Sequence, residues 1–184
     1  MKKSSIIPLA IGTLIGFPIL GFIIHYFISE SSFLLLFVSK SNLLIELVIG
    51  SITGLGLGYL AWFIISMSFM TPVLEKYKTL INTFELDLPL IFFVSFCAGF
   101  GEETLFRGVL QPLLGIWVTA LIFVAIHGYL NPNNWKISIY GAYLTIAIGI
   151  IGYLSDYFGL TTAIISHMVI DVILFYKLTK NSVS

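Results

Sequence analysis

Six ionisable side chains lie inside stretches of sequence that are otherwise apolar. Each charge near the centre of a membrane-spanning helix costs about 2.5–3.5 kcal/mol on insertion scales, so such groups persist where they meet one another or line a wet cavity. A buried carboxylate can act as a general base, and an imidazole can transfer a proton or bind a metal ion. The six side chains are Glu102, Glu103, Arg107, His127, His167 and Asp171.

The segment FGEETLFRGVL, residues 100–110, divides its three charges between two faces of a helix. Glu103 and Arg107 are four residues apart, so on a helix they can form an ion pair. Glu102 is rotated by about 100° from Glu103, because a helix has about 3.6 residues per turn. Glu102 therefore faces elsewhere, and this arginine does not neutralise it.

Two later segments use the same four-residue spacing. FVAIH places Phe123 and His127 on one helix face, and HMVID places His167 and Asp171 on another. Together with the helix that carries Glu102, three helices each offer one polar face. We expect these faces to converge in the interior of a helical bundle.

Two mechanisms suit one glutamate and two histidines in a pocket of low dielectric constant. In the first, Glu102 takes a proton from a water molecule that attacks a peptide carbonyl, and His127 assists. His167 and Asp171 then stabilise the oxyanion or orient one another. In the second, His127, His167 and Glu102 bind zinc, with water as the fourth ligand. The sequence lacks His-Glu-x-x-His, so a metal site would need ligands from distant helices.

The composition excludes several classes of protein. Of the 184 residues, 58% are hydrophobic and 10% are charged, whereas about a quarter of residues are charged in soluble domains. The formal net charge is zero, so we expect no nucleic-acid partner. Cys97 is the one cysteine of the sequence, which excludes a disulfide within the chain and a Cys-x-x-Cys metal site.

The apolar stretches predict an all-α, polytopic membrane bundle of about six transmembrane helices. A span needs roughly 20 apolar residues, and the runs lack the alternation of a transmembrane strand. The first run exceeds the apolar core of a signal peptide, so we expect it to be a retained span. The stretches are 6–28, 43–70, 88–114, 113–129, 137–157 and 160–178.

The third and fourth stretches nearly abut. We expect a turn between them, or a kink that joins one helix to the next, at Arg107, Gly108, Gln111 and Pro112. The chain is predicted to be a single domain overall. Residues 1–87 would supply N-terminal helices and a loop, and residues 88–178 would supply a catalytic core.

Glycines and lysines give two further expectations. Glycines at every fourth residue place bare backbone on one helix face, which lets a neighbouring helix approach closely; they are Gly12 and Gly16, and then Gly50, Gly54 and Gly58. With six spans, a cytoplasmic N-terminus satisfies the positive-inside rule. It leaves one lysine outside, Lys40, and seven inside: Lys2, Lys3, Lys76, Lys78, Lys136, Lys177 and Lys180.

Three motifs resemble those of the CPBP intramembrane proteases, a family that includes the type II CAAX prenyl endopeptidases and the Abi, or bacteriocin-immunity, proteins. EETLFR resembles Glu-Glu-x-x-x-Arg, FVAIH resembles Phe-x-x-x-His, and HMVID resembles His-x-x-x-Asn/Asp, in that order. The resemblance covers residues 88–178. It implies an intramembrane endopeptidase that acts on membrane-associated or lipidated, CAAX-type peptides or proteins.

The resemblance also implies roles for individual residues. Glu102, His127 and His167 would be catalytic, Glu103 and Arg107 would form a structural pair, and Asp171 would support His167. The family is described both as zinc-dependent and as a metal-free glutamate protease, so both mechanisms stay open. Asp171 stands where the eukaryotic enzymes have Asn, which favours an orienting or metal-related role over contact with an oxyanion.

Two other classes of function fit the same residues. A non-catalytic immunity protein would keep the fold and bind a toxic peptide. A proton-coupled membrane carrier would use the buried Glu and His residues as a proton relay, although the sequence lacks the internal repeat of many carriers. All three hypotheses place the chain as a multi-pass protein in the plasma (inner) membrane, with the lipid bilayer as a partner.

Overall fold

Helices form the whole of the regular structure in residues 3–180, the part of the chain that this computed structural model describes. This confirms the all-α class. The α-helices are α1 (Lys3–Ile28), α2 (Leu43–Ile65), α3 (Thr71–Asn82), α4 (Leu88–Leu105), α5 (Gln111–Leu114), α6 (Ile116–Ile126), α7 (Trp135–Phe158) and α8 (Leu160–Lys180). Two short 3₁₀ turns, Phe33–Phe37 and Ser68–Met70, precede α2 and α3.

Five helical segments in the described part of the chain are long and apolar enough to cross a membrane. They are Ile6–Ile28, Leu43–Ile65, Leu88–Leu114, Trp135–Phe158 and Leu160–Lys180. The predicted fourth span corresponds to α6, which has 11 residues. At about 1.5 Å per residue, α6 covers only about half of the hydrocarbon core. The chain is therefore a polytopic membrane bundle. Five of the six predicted spans are long enough to cross a membrane, and the fourth is a short apolar helix.

Of the two predicted connections, a turn or a junction of one helix with the next, the structure has no turn at these residues and joins α4 directly to α5. Phe106–Leu110 form a π-helical turn that continues α4 into α5, and the Gln111 N–H donates to the Phe106 carbonyl. The chain reverses only at Gly115, whose φ of 80° and ψ of 163° suit a residue without a side chain. Arg107, Gly108, Gln111 and Pro112 thus lie within a continuous helical segment. Turns of this type are often found at functional sites.

Helix α8 lies at the centre of the bundle, between α2 and α4. The glycine face predicted on α2 is confirmed, since Gly50, Gly54 and Gly58 all lie against α8. A Cβ at Gly54 would lie 2.6 Å from the Val169 Cβ and 2.7 Å from the Ser166 carbonyl oxygen. These contacts hold α2 and α8 side by side along most of their length.

The same prediction is wrong for α1. A Cβ added at Gly12 or Gly16 would meet nothing within 4 Å among the described residues. The close approach of α1 to α4 uses Gly101 instead, where an added Cβ would clash with the Thr13 carbonyl group. The spacing of glycines along one helix therefore does not show on which helix the bare backbone is needed.

The lysines separate between the two ends of the bundle. At one end Phe69 stacks on Trp135 at 6.2 Å, and Lys177 lies 5.7 Å from the Tyr59 ring. This end carries α3 with Lys76 and Lys78, and also Lys136, Lys177 and Lys180, while Lys3 is the first residue of α1. At the opposite end the Lys40 Nζ donates to the Ser155 and Asp156 carbonyl oxygens at 3.4 and 3.3 Å. Lys2 lies outside the described residues. The positive-inside rule predicts that the end with five lysines faces the cytoplasm.

Substitution at Gly54 tests the packing of α2 against α8. We expect Gly54→Ala to destabilise the protein by about 1–3 kcal/mol, because the added methyl group meets backbone and a branched side chain that cannot move aside. The free energy of unfolding in detergent micelles measures this. Gly56→Ala is the matched control on the same helix, since its Cβ would meet nothing within 4 Å. Equal losses in the two variants would contradict the packing.

Candidate active site

The three predicted helix faces converge on one carboxylate oxygen. The Glu102 Oε2 atom lies 3.5 Å from the His127 Nε2 atom and 4.0 Å from the His167 Nε2 atom. Glu102 comes from α4, His127 from the end of α6, and His167 from α8. About an eighth of the Glu102 side chain is accessible. Three residues that are far apart in sequence thus share one partly enclosed site.

Glu103 has a second partner that spacing within one helix could not reveal. Its Oε2 atom lies 3.0 Å from the Arg107 Nε atom, which is the predicted ion pair. Its Oε1 atom accepts a hydrogen bond of 2.8 Å from the His167 Nδ1–H group. Glu103 is fully buried. One carboxylate therefore links α4 to the π-helical turn and to α8, and it fixes the orientation of the His167 ring.

Arg107 is buried beside a carboxylate and an aromatic ring. Its Nη1 and Nη2 atoms have no hydrogen-bond partner among the described residues. The guanidinium group lies 5.4 Å from the centre of the Phe123 ring, within the range of a cation–π interaction. The Glu103 carboxylate and the Phe123 ring are thus its two attractive contacts. Loss of Glu103 would leave a charge inside the bundle without a counter-ion.

Phe123 also contacts both histidines of the site. Its ring stacks on the His127 ring with 4.4 Å between centroids, and it meets the His167 ring edge-on at 5.8 Å. The Phe123 carbonyl oxygen accepts a hydrogen bond of 2.6 Å from the His127 Nδ1–H group. Because Nδ1 of each histidine donates to a fixed acceptor, Nε2 is the atom of each ring that faces Glu102.

Asp171 approaches the same nitrogen of His167 as Glu102 does. Its Oδ2 atom is 3.6 Å from the His167 Nε2 atom. The ring of His167 therefore meets carboxylates at both nitrogens, Glu103 at Nδ1 and Glu102 and Asp171 at Nε2. The site contains three carboxylates, one guanidinium group and two imidazoles. Its net charge is therefore zero only when the carboxylates are ionised and both histidines carry a proton.

A cavity of about 330 Å³ leads from these residues toward the lysine-rich end of the bundle. At the inner end are Glu102, His127, His167 and Asp171. Most other wall residues are aliphatic or aromatic. They include Ile65 at the end of α2, Leu178 in α8, and Tyr77, Leu80 and Ile81 in α3. Helix α3 thus forms part of the cavity wall.

Tyrosines line the same cavity, and the motif analysis did not identify them. The Tyr129 ring lies 6.4 Å from the His127 ring, 6.0 Å from Tyr77 and 5.8 Å from Tyr140. Burial raises the pKa of the Tyr77 phenol, so this group stays a neutral hydrogen-bond donor near pH 7. Tyr129 follows His127 by two residues, and that proximity was the available signal in the sequence.

The zinc hypothesis concerns Glu102, His127 and His167. No group of three or more His, Cys, Asp or Glu side chains within residues 3–180 has a geometry that could hold a metal ion. The donor atoms of the proposed ligands lie 3.5 and 4.0 Å apart in the two pairs that include Glu102. Two ligands of one tetrahedral zinc ion lie about 3.3 Å apart, so the first pair is close to that distance and the second is wider, and zinc dependence stays a prediction.

A membrane bundle whose helices bring carboxylates and imidazoles to the end of an apolar cavity belongs to the class of membrane-embedded helical proteins with a polar interior site. Residues 84–173 match the family model described as type II CAAX prenyl endopeptidase Rce1-like. This match agrees with the resemblance over just under half of the 184 residues, and this part of the chain is similar to that family. Residues 84–173 include all seven side chains that the motifs single out.

One curated relative has no described function. The chain is 35% identical over 88 residues to an uncharacterized protein, YpbD, from Bacillus subtilis (strain 168). The alignment covers 47% of this chain and 44% of YpbD, so it spans less than half the length of this relative. No solved structure matches the chain significantly. The similarity to known proteins is therefore strongest in the helices that carry the site.

Removal of the Arg107 charge tests the buried ion pair. We expect Arg107→Met to destabilise the protein by about 3–5 kcal/mol, because Glu103 then becomes an uncompensated charge in the interior. Unfolding in detergent with increasing denaturant measures the loss. Lys78→Met is the matched control: the pair between Lys78 and Glu75 has a nitrogen–oxygen distance of 2.8 Å but lies at the surface. An exposed pair contributes up to about 1 kcal/mol, and equal effects would contradict a structural role for Glu103–Arg107.

Proposed function

We propose that the chain is an intramembrane endopeptidase that cleaves membrane-associated or lipidated peptides or proteins with a water molecule activated by Glu102. The observation that supports this most strongly is the convergence of Glu102, His127 and His167 around one oxygen atom at the end of an apolar cavity. The match of residues 84–173 to a prenyl endopeptidase family supports the same reaction class.

The first step is attack by water. The Glu102 Oε2 atom and the His127 Nε2 atom are 3.5 Å apart, and both accept hydrogen bonds when neither carries a proton. A water molecule at this point can donate one O–H to each of them. Its oxygen then attacks the peptide carbonyl carbon while Glu102 takes a proton. His127 keeps the water in line, because Phe123 fixes its ring twice, by stacking on it and by accepting the Nδ1 hydrogen bond at its carbonyl oxygen.

The second step is collapse of the tetrahedral intermediate. The carbon–nitrogen bond breaks, and Glu102 returns its proton to the leaving amine. His167 supplies the hydrogen bond to the oxyanion when its Nε2 atom is protonated. Glu103 orients His167 through Nδ1, and Asp171 balances the charge of the protonated ring. This assigns Asp171 an orienting role, which suits a carboxylate better than direct contact with an oxyanion.

The cavity admits an apolar segment of a substrate. Its walls come from aliphatic and aromatic residues of six helices, and its outer part lies under α3 at the lysine-rich end. By the positive-inside rule this is the cytoplasmic end. A peptide held in the membrane or anchored to it by a lipid would enter from there. We place the protein in the plasma (inner) membrane.

Removal of the general base tests the mechanism. We expect Glu102→Gln to lower the rate of peptide cleavage by about 100- to 10,000-fold, since the amide cannot accept the proton. The measurement is the turnover of a fluorogenic apolar peptide by the purified protein in detergent or in liposomes. Variants must accumulate in membranes to the level of the wild type.

Glu75→Gln is the matched control, because Glu75 is an exposed glutamate on α3 that faces away from the cavity. It should retain the wild-type rate. Full activity in the Glu102→Gln variant would refute the proposal. Proton-coupled flux in proteoliposomes without proteolysis would favour a carrier instead.

Metal chelation separates the two mechanisms. Because the placed donors do not form a metal-binding group, we expect turnover to survive prolonged treatment with 1,10-phenanthroline. Metal analysis of the same protein should find less than one zinc per chain, in the wild type and in His127→Ala and His167→Ala alike. Loss of activity that added zinc restores, together with stoichiometric zinc in the wild type only, would establish the metal mechanism.

A further inference from the structure

Three phenols of the cavity wall take no part in the reaction proposed above. They belong to Tyr77 in α3, to Tyr129 in the segment between α6 and α7, and to Tyr140 in α7. Apart from the four ionisable residues at the inner end, the other described residues that line the cavity have hydrocarbon side chains. The three phenols are therefore the hydrogen-bonding side chains of an otherwise apolar wall.

Tyr140 is the most enclosed of the three and has a free hydrogen-bond donor. The residue is 2% exposed, and its ring lies 5.8 Å from the Tyr129 ring and 6.2 Å from the Tyr143 ring. The Tyr143 O–H donates to the Leu57 carbonyl oxygen at 2.6 Å, whereas no other described residue accepts a hydrogen bond from the Tyr140 O–H. Buried polar groups in folded proteins are nearly always hydrogen-bonded. The Tyr140 phenol is therefore available to a molecule that enters the cavity.

Tyr129 is held in place beside Tyr140. A Cβ added at Gly141 in α7 would clash with the Tyr129 carbonyl group, so the main chain at Tyr129 lies directly on this helix. Burial raises the pKa of the Tyr129 phenol, and the nearby Tyr77 phenol and Asp171 carboxylate raise it further. The phenol is therefore a neutral donor at pH 7. Tyr77, whose ring lies 6.0 Å from the Tyr129 ring, is another neutral donor on the same wall.

A peptide in this cavity needs hydrogen-bond donors for its main chain. Every residue of an extended segment carries a carbonyl oxygen, and a carbonyl without a donor is unfavourable in apolar surroundings. A phenol can donate its O–H to such an oxygen without placing a fixed charge in the cavity. The three tyrosines therefore match the main chain of an apolar peptide, whatever its side chains are.

We propose that Tyr140 and Tyr129 bind main-chain carbonyl groups of the substrate on one side of the scissile bond, with Tyr77 as an additional donor. This inference rests on the proposed endopeptidase function and specifies how the site holds its substrate. The Tyr129 ring lies 6.4 Å from the His127 ring, and the Tyr140 ring lies 5.8 Å from the Tyr129 ring. At about 3.3–3.6 Å per residue, these phenols reach carbonyl groups within about four residues of the scissile bond.

Removal of a single O–H group tests the inference. The substrate is an N-acetylated apolar peptide of about 12 residues, long enough to pass both the catalytic residues and the phenols. We expect Tyr140→Phe to lower kcat/KM about threefold to thirtyfold, mainly through a higher KM, because the substrate carbonyl then lacks its donor. The midpoint of unfolding in detergent should not fall, since no other described residue accepts a hydrogen bond from this phenol.

Tyr143→Phe is the matched control, because it removes an O–H from the neighbouring ring that donates to the protein itself. It should lower the midpoint of unfolding and leave kcat/KM within about twofold of the wild-type value. An unchanged kcat/KM in Tyr140→Phe would overturn the inference. Equal losses of kcat/KM in the two variants would also overturn it, because they would attribute the effect to packing among the tyrosines.

Peptides with one ester bond each identify the carbonyl groups that are bound. Mass spectrometry locates the scissile bond, and each neighbouring peptide bond is then replaced in turn by an ester, whose carbonyl oxygen is a weaker acceptor. For at least one of these esters, kcat/KM should fall by about threefold or more in the wild type and by less in Tyr140→Phe, where the hydrogen bond is already absent. The lost amide N–H is common to both proteins, so the difference reports on the carbonyl. Equal ester effects in both proteins at every position would contradict the inference.

Binding separates this inference from the endopeptidase function. Fluorescence anisotropy measures the affinity of the Glu102→Gln variant for the same peptide carrying a fluorophore. Adding Tyr140→Phe to this variant should weaken binding about threefold to thirtyfold, and adding Tyr143→Phe should not. Equal affinity with and without Tyr140→Phe would overturn the inference, even if the wild type cleaves the peptide. Weaker binding with Tyr140→Phe, but no cleavage by the wild type, would overturn the endopeptidase function and retain the phenols as a peptide-binding site.

Discussion

The buried Glu103 carboxylate is the interaction on which the site depends. It holds Arg107 with one oxygen and the His167 Nδ1–H group with the other. These contacts link three parts of the bundle: α4, the π-helical turn that follows it, and the central helix α8. A charge at this depth is unfavourable by several kcal/mol unless it is paired. The network is therefore stable only when all three partners are in place. The geometry of the site and the packing of these helices thus depend on the same contacts.

The separation of roles between two adjacent glutamates follows from this constraint. Successive residues of a helix point about 100° apart, so Glu103 faces Arg107 and α8 while Glu102 faces the cavity and the two imidazole Nε2 atoms. Glu103 is fully buried, and the Glu102 side chain retains some accessibility. The first is suited to hold the structure and the second to exchange protons with a bound reactant. Phe123 completes the arrangement, because its ring contacts Arg107, His127 and His167 at once.

Much of this arrangement follows from the sequence, because it depends on local rules. Apolar length predicted the spanning helices, and four-residue spacing predicted the ion pair of Glu103 with Arg107 and the shared faces of Phe123 with His127 and of His167 with Asp171. Because an unpaired charge in the bilayer is unfavourable, the polar helix faces were predicted to meet in the interior of the bundle. Contacts between distant segments did not follow: Glu103 and His167 are 64 positions apart, and the place of α3 over the cavity depends on tertiary packing. The chain reverses at Gly115, whereas the predicted turn, one of two alternatives, lay between Arg107 and Pro112. A π-helical turn leaves no clear signal in one sequence, so the sequence did not decide between that turn and a continuing helix. Gly12 and Gly16 have the four-residue spacing of a packing face, but no described residue lies within 4 Å of a Cβ added at either position.

The most direct test of the Glu103 interaction is the protonation of the His167 ring nitrogens, measured by ¹⁵N nuclear magnetic resonance on protein labelled at histidine. The structure predicts a protonated Nδ1 with the low-field proton shift of a strong hydrogen bond to a carboxylate. That signal should be lost in Glu103→Gln, while the signals of His25, whose Nε2 atom lies 3.0 Å from the Ser31 carbonyl oxygen outside the site, stay in place. A His167 ring whose Nδ1 carries no proton in the wild-type protein would contradict the account, because Glu103 would then hold neither the ring nor the helix that bears it.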